Sequence, residues 1–303
     1  MPTTVKSIKS GRRLTLARAR CAAALWVATS GLLLAQHATI AVNPNSRYFC
    51  CPVFDAVMQI QNLTTMPINY EDLQYNYAGD IQDIGALMTP TQKANAPNPK
   101  VLIPKGGSFS VDIPVDPATG KLPDALSVSS ALNLVIAAAQ AAGIVPGTFR
   151  VDSSQPGVFF VEPASNHDAN GAMAAAQAVF DTPVTVSFQQ TIAGQVLDAI
   201  FQQVTQKTGF KFTHGSGTVG FDTPMSKVSI TASNEPAKYV LARLLAAAYN
   251  NGPVGVSYMA LFEPQFRYFA FNVQVDAAAY TPPPPQAPQM PPGTGNRLGK
   301  KSN

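Results

Sequence analysis

The chain has little of what most protein chemistry needs. Among 303 residues there are 3 cysteines, 3 histidines and 1 tryptophan, and only 13% of residues are charged. Cys21 lies in an apolar N-terminal run, which leaves the adjacent pair Cys50 and Cys51. Sequence neighbours close a strained ring when bonded to each other, so no internal disulfide framework staples the fold. The pair reads as small buried residues where the first helix begins, with a disulfide to a partner chain as the alternative in an oxidising compartment. His167 and His214 have no metal-ligand spacing to each other or to the cysteines. No Gly-x-Ser-x-Gly motif marks a strained nucleophile turn and no paired carboxylates stand out, so any catalytic site would have to be assembled in space. No catalytic, cofactor-binding or metal residue is assigned.

Two local motifs fail on their own physics. Gly215-Ser-Gly217-Thr-Val-Gly220 has the glycine spacing of a dinucleotide fingerprint, yet Phe221-Asp222-Thr223-Pro224 follows where a helix N-terminus is needed for the pyrophosphate. Asn166-x-Asp168-x-Asn170-Gly171 resembles the opening of a calcium loop, but its first ligand would be an amide and its twelfth position is Gln177. A solvated linker is the simpler reading.

What is present begins with an export-type N-terminus. Lys6, Lys9, Arg12, Arg13, Arg18 and Arg20 precede the apolar stretch Cys21 to Ala35. About 15 apolar residues fall short of the roughly 20 a membrane-spanning helix needs, so residues 1–41 read as a signal peptide, with an uncleaved anchor or membrane tether as the alternative. Ala35, Ala38 and Ala41 each offer a small residue at the cleavage position, and Thr39-Ile40-Ala41 adds a second small one. Taking those six cations from the 21 Lys and Arg leaves 15 against 17 acids, a balance of about −2. No basic stripe then remains for phosphates, which argues against a nucleic-acid partner.

The most informative pattern is internal. Leu132 to Gly143 reads Leu-Asn-Leu-Val-Ile-Ala-Ala-Ala-Gln-Ala-Ala-Gly, and Leu241 to Gly252 reads Leu-Ala-Arg-Leu-Leu-Ala-Ala-Ala-Tyr-Asn-Asn-Gly. The same spacing predicts the same helix twice. An amphipathic helix over Cys51 to Thr65 is predicted from Val53, Val57 and Ile60, and one over Ile192 to Thr208 from Ile192, Val196, Ile200 and Val204. Asp55-Ala56-Val57 matches Asp198-Ala199-Ile200 within them. Strands are predicted at Ile68 to Tyr75, Val101 to Ile103, Ser108 to Val115, Thr148 to Asp152, Val158 to Glu162, Val184 to Phe188, Phe210 to Thr213, Val228 to Ala232, and within Val256 to Val275. Ser127 is the expected N-cap of the helix ending at Gly143.

These elements give an α+β fold of two repeated small modules, each with two helices packed on small mixed sheets, after an N-terminal signal segment. The first unit spans 44–165 and the second 181–276. Between them, 166–180 is an alanine-rich linker, partly helical over Asn166 to Gln177. Residues 277–303, beginning with the prolines after Thr281, read as a disordered proline-rich tail suited to an extended spacer.

Phe188, Val196, Leu197, Ile200, Thr208-Gly209-Phe210, Val228 to Thr231, and Ala237, Val240, Leu241, Leu244 and Leu245 before Gly252 carry a resemblance to the secretin and TonB short N-terminal domain. It covers about 90 residues closely and a further 120 loosely, with a glycine run in place of the family's polar middle turn and with two copies in tandem. The resemblance implies a non-enzymatic periplasmic interaction or assembly module whose partner is another envelope protein: a secretin, a TonB-dependent transducer or a pilus component. It carries over no catalytic or binding residue. A homo-oligomer is compatible with it. The contrasting expectation is a periplasmic hydrolase or ligand-binding protein with a site between the units. Edge pairing is the expected mode of recognition, at Val184 to Phe188 and Phe266 to Val275.

Overall fold

The computed structural model describes residues 36–43, 51–87, 100–214, 226–249 and 255–275. The elements run β1 (Gln36–Val42), α1 (Pro52–Gln61), β2 (Ile68–Glu71), β3 (Ile81–Asp83), β4 (Leu102–Pro104), β5 (Phe109–Val115), α2 (Ala125–Ala141), β6 (Gly147–Asp152) and β7 (Phe159–His167). They continue as β8 (Met173–Ala175), β9 (Pro183–Ile192), α3 (Ala193–Thr208), β10 (Lys211–His214), β11 (Lys227–Pro236), α4 (Ala237–Ala248), β12 (Val256–Glu263) and β13 (Tyr268–Val275). Among the described residues this is a mixed α+β fold with four helices and several sheets, three of them two-stranded.

Each helix forms where an apolar stripe meets a clear stop. In α1, Pro52 opens the first turn, where its missing N–H costs nothing, and Val53, Phe54, Ala56, Val57 and Ile60 turn inward. Asp124 caps α2 by accepting Ser127 N at 2.8 Å, so the cap lies three residues before the expected Ser127, whose role is to donate. Gly143 and Gly209 follow α2 and α3 at φ +65° and +78°, a conformation that other residues reach only with strain.

The sheets follow one plan in each half. In the N-terminal half, β1 pairs antiparallel with β5, β2 parallel with β7, and β6 antiparallel with β7. In the C-terminal half, β9 pairs antiparallel with β11, β10 parallel with β13, and β12 antiparallel with β13. One parallel contact joins the halves, β12 to β2 through Met259 opposite Tyr70 and Ala260 opposite Glu71, with Asp72 N donating to Ala260 O at 2.9 Å. The resulting strand order is β10-β13-β12-β2-β7-β6, with β8 added beside β7.

Paired residues share a sheet face, which fixes where the helices lie. Tyr70 and Val161 face α1, with the Phe54 ring tilted against Tyr70 at 5.4 Å, whereas Glu71, Phe160 and Glu162 face the C-terminal helices. Phe160 meets Tyr239 of α4 at 5.5 Å, and Phe271 meets Phe201 of α3 at 5.0 Å. The two pairs of helices therefore cover opposite faces of one sheet.

Three expectations are corrected. Residues 36–41, placed in the signal segment, belong to the strand Gln36–Val42, in which Ile40 and Val42 are buried. The stretch Asn166 to Gln177 has no α-helix: it is the end of β7, a turn through Gly171 and strand β8, and Val179 and Phe180 just beyond it are core residues. The expected strand Ile68 to Tyr75 stops at Glu71, because Asp72 turns inward to accept hydrogen bonds. The glycine run 215–220, Gly252, Cys50 and the tail 277–303 lie outside the described residues.

Candidate functional site

Chemistry-bearing side chains converge where α4 crosses the N-terminal half of the sheet. Alternation along β6 and β7 aims Arg150, Asp152 and Glu162 at the face that α4 covers. Lys238 Nζ lies 2.8 Å from Asp152, 3.0 Å from Glu162 and 2.7 Å from Asp181, and its side chain is 5% exposed. Arg150 bridges the same carboxylates, with Nε 2.7 Å from Glu162 and a terminal nitrogen 2.6 Å from Asp181. Tyr239 OH donates to Asp152 at 2.9 Å and lies 2.8 Å from Ser154 Oγ. Burial works against the charge on Lys238, but hydrogen bonds to Asp152, Asp181 and Glu162 hold its pKa above the ordinary lysine range. Burial likewise opposes the Asp152 carboxylate, and bonds from Lys238, Ser154 and Tyr239 hold its pKa well below normal.

These residues have the types of a catalytic cluster and the geometry of a joint. Every charge is spent on a neighbour: two cations face three carboxylates at hydrogen-bonding distance. A buried network of this kind specifies docking more than it adds stability, while removing one member leaves an unpaired charge. Two hollows among the described residues lie elsewhere, and neither is lined by a member of the network. One of about 10 Å³ sits by Cys51, Tyr75 and Lys105, and one of about 310 Å³ by Leu63, Thr65 and Lys121.

Two more buried carboxylates tie loops to the sheet. Glu71 accepts Val179 N and Phe180 N, with the second at 3.0 Å, and burial pushes its carboxyl up to about 8 against those two donors. Asp72 accepts Tyr70 OH and Tyr75 OH, each at 3.0 Å, and Leu73 N at 2.9 Å, while burial raises it to about 6. Both hold the chain where the halves meet.

The motif residues resolve into structural roles. Asp168 accepts Asn170 N and Ala172 N at 2.8 and 2.9 Å, closing the β7–β8 turn rather than opening a calcium loop. His167 Nδ1 lies 2.9 Å from Asp80. Cys51 is buried at the start of α1, in the position expected of a small apolar residue. Among the described residues no group of three or more His, Cys, Asp or Glu is placed to hold a metal.

The sheet edges are treated unequally. Gln59 of α1 donates to Ala41 O at 3.0 Å and accepts Ala41 N at 3.1 Å, occupying one backbone pair on the outer edge of β1 as a neighbouring strand would. Gln203 of α3 does the same to Thr185 of β9, at 2.8 and 2.9 Å, and Lys207 donates to Pro183 O at 2.6 Å. The expected edge at Val184 to Phe188 is thus capped by its own helix, and most of the expected edge at Phe266 to Val275 is interior, since β13 lies between β10 and β12. Such caps are a known defence against unwanted strand pairing.

At β6 no such cap is found among the described residues. Phe159 N donates to Pro67 O, so the odd residues of this end of β7 bond toward β2 and the even ones toward β6. Arg150 and Asp152, opposite Glu162 and Phe160, are then the β6 residues bonded to β7, and Val151 turns its N–H and C=O outward. Sequence reasoning missed this edge because β6 looks like any half-buried strand. No family model matches the chain, and no curated protein or solved structure matches it.

Proposed function

We propose that the chain is two copies of one strand–helix–strand–strand–helix–strand–strand module and serves as an exported, non-enzymatic interaction component of the cell envelope. The observation that carries the first half is the recurrence of three strand pairings, β1–β5, β2–β7 and β6–β7 as β9–β11, β10–β13 and β12–β13, together with the Gln59 and Gln203 caps. Ala41 to Thr185 and Gln59 to Gln203 are the same step of 144 positions. In the second helix of each half, Val128, Ala131, Leu132, Val135 and Ile136 are buried, as are Ala237, Val240, Leu241, Leu244 and Leu245, each 109 positions later. The resemblance to the secretin and TonB short N-terminal domain supports the second half of the reading and points to a secretin, transducer or pilus component as partner.

A hydrolase with a site between the halves is the weaker reading. The convergent carboxylates and lysine favour it, but they satisfy one another, and neither the hollow by Cys51 nor the one by Leu63 is lined by them. Export by an N-terminal signal remains part of the proposal, with cleavage before Gln36, because cutting after Ala41 would remove the strand that buries Ile40. Fractionating cells and cross-linking the chain in the envelope tests the reading: it expects an envelope protein as the adduct and an N-terminus at or before Gln36 by mass spectrometry. Recovery of the chain from the cytoplasm with an intact N-terminus would sink it.

A further inference from the structure

The contact that joins the two halves leaves a matching pair of edges at the ends of the sheet. Inside the chain, β12 of the second half lies parallel to β2 of the first. By the pairing plan, β6 is the counterpart of β12 and β10 is the counterpart of β2, and these two strands end the sheet order among the described residues. We propose that copies of this chain associate head to tail, with β6 of one copy laid parallel against β10 of the next, as β12 is laid against β2. This rests on the two-module reading and names a second copy as the partner at this edge.

The surfaces flanking those edges have changed together. Within the chain, α4 covers the cross-strand pairs Arg150–Glu162 and Asp152–Phe160, and it meets their charges with Lys238 and Tyr239. In the second half the corresponding cross-strand pairs are Met259–Asn272 and Leu261–Ala270, which carry no charge, and Leu261, Ala270 and Asn272 are only half-buried. The helix that would cover them in a head-to-tail contact is α2 of the next copy. At the positions of Lys238 and Tyr239, 109 residues earlier, it has Ser129 and Ser130. No residue of α2 is charged. Beside them, where Arg243 of α4 pairs with Glu235 at the end of β11, α2 exposes Leu126 and Leu134, 77% and 42% accessible. Charge is thus absent from both sides of the external contact and present on both sides of the internal one.

Such a contact uses different surfaces on the two partners, so it propagates into an open series or a ring instead of stopping at a dimer. Its backbone part needs the outward groups of Val151, which β7 does not use.

Sedimentation velocity on the purified full chain over a range of concentrations tests the proposal. The expected result is a weight-average mass that climbs past that of two copies. Val151→Pro removes an outward N–H and leaves the bonds to β7, a substitution an edge strand tolerates. Ser129→Lys places an uncompensated charge against Leu261 and Asn272. Both variants are expected to melt like the parent chain and to lose the concentration dependence. Val151→Pro keeps its β10 end, so adding it to the parent chain is expected to shorten the series as a chain terminator. A parent chain that stays monomeric, a series that stops at two copies, or folded variants that associate like the parent would overturn the proposal. None of these results would alter the envelope cross-linking result, so failure here and failure of the function reading are separable.

Discussion

The second helices of the two halves, α2 and α4, bury the same apolar stripe and differ outside it in their first two turns, while sharing the alanines that follow. Both sink their apolar stripe against their own sheets, and the Leu244–Leu245 pair is as fully buried as Val135–Ile136. Outward, α4 carries Lys238, Tyr239 and Arg243, each bonded to an acidic residue, where α2 has Ser129, Ser130 and Leu134. The interior of a module is held by shape and apolar volume. Its exterior is written for whatever lies against it, and only α4 has another half of the same chain there.

The comparison breaks most visibly at Lys238. Replacing it with Ala leaves Asp152 without a cation and Glu162 and Asp181 with Arg150 alone, and is expected to cost about 3 kcal/mol, whereas Ser129→Ala at the corresponding place is expected to stay within about 0.5 kcal/mol. Urea titration of the two variants measures the difference. Equal losses would mean that the network does not couple the halves.

Core truncation tests the shared interior. Leu244→Ala and Val135→Ala remove fully buried side chains from matching positions; the Leu truncation is expected to cost about 2–5 kcal/mol and the smaller Val truncation somewhat less. Thermal melts check this, and a neutral result at either site would mean that the two helices are not equivalent core elements.

A pH series sharpens the junction. Glu71 is raised from 4.5 to about 8 and Asp72 from 3.8 to about 6, so in these windows the folded chain holds protons that the unfolded chain has released. Stability contributed by these groups is therefore expected to fall as pH rises through about 4.5 to 8. Glu71→Gln is expected to flatten the upper part of that slope, measured as the denaturation midpoint at several pH values. The smallest effect is expected from Gln59→Ala and Gln203→Ala, about 0.5–1.5 kcal/mol each, since water can replace the amide at an exposed edge. Their signature is faster hydrogen exchange at Ala41 and Thr185, respectively.

Much of the fold was legible because helical periodicity survives in a single sequence. Val196, Leu197, Ile200, Phe201 and Val204 announce α3, and the Leu132 and Leu241 segments announce each other. The match of Asp55-Ala56-Val57 with Asp198-Ala199-Ile200 was one residue out of step: burial and the glutamine caps align Ala56 with Ile200 and Val57 with Phe201. A half-exposed aspartate is free to drift, so its identity misled where the buried stripe did not. Strand β1 was hidden because its alternating Ile40 and Val42 follow directly on the apolar N-terminal run. The joint was not legible, since Asp152, Glu162, Asp181 and Lys238 come from four elements with no common spacing. The available edge was misplaced for a similar reason: whether a strand is interior, capped or open depends on partners far away in sequence.

The most direct measurement compares two amides by hydrogen exchange: Ala260, inside the ladder that joins the halves, and Val151, its counterpart on the open edge of β6. The account predicts a slow Ala260 at every protein concentration, and a Val151 that is fast when dilute and slows as concentration rises. A Val151 amide that exchanges fast at all concentrations, or an Ala260 amide as fast as Val151, would contradict it.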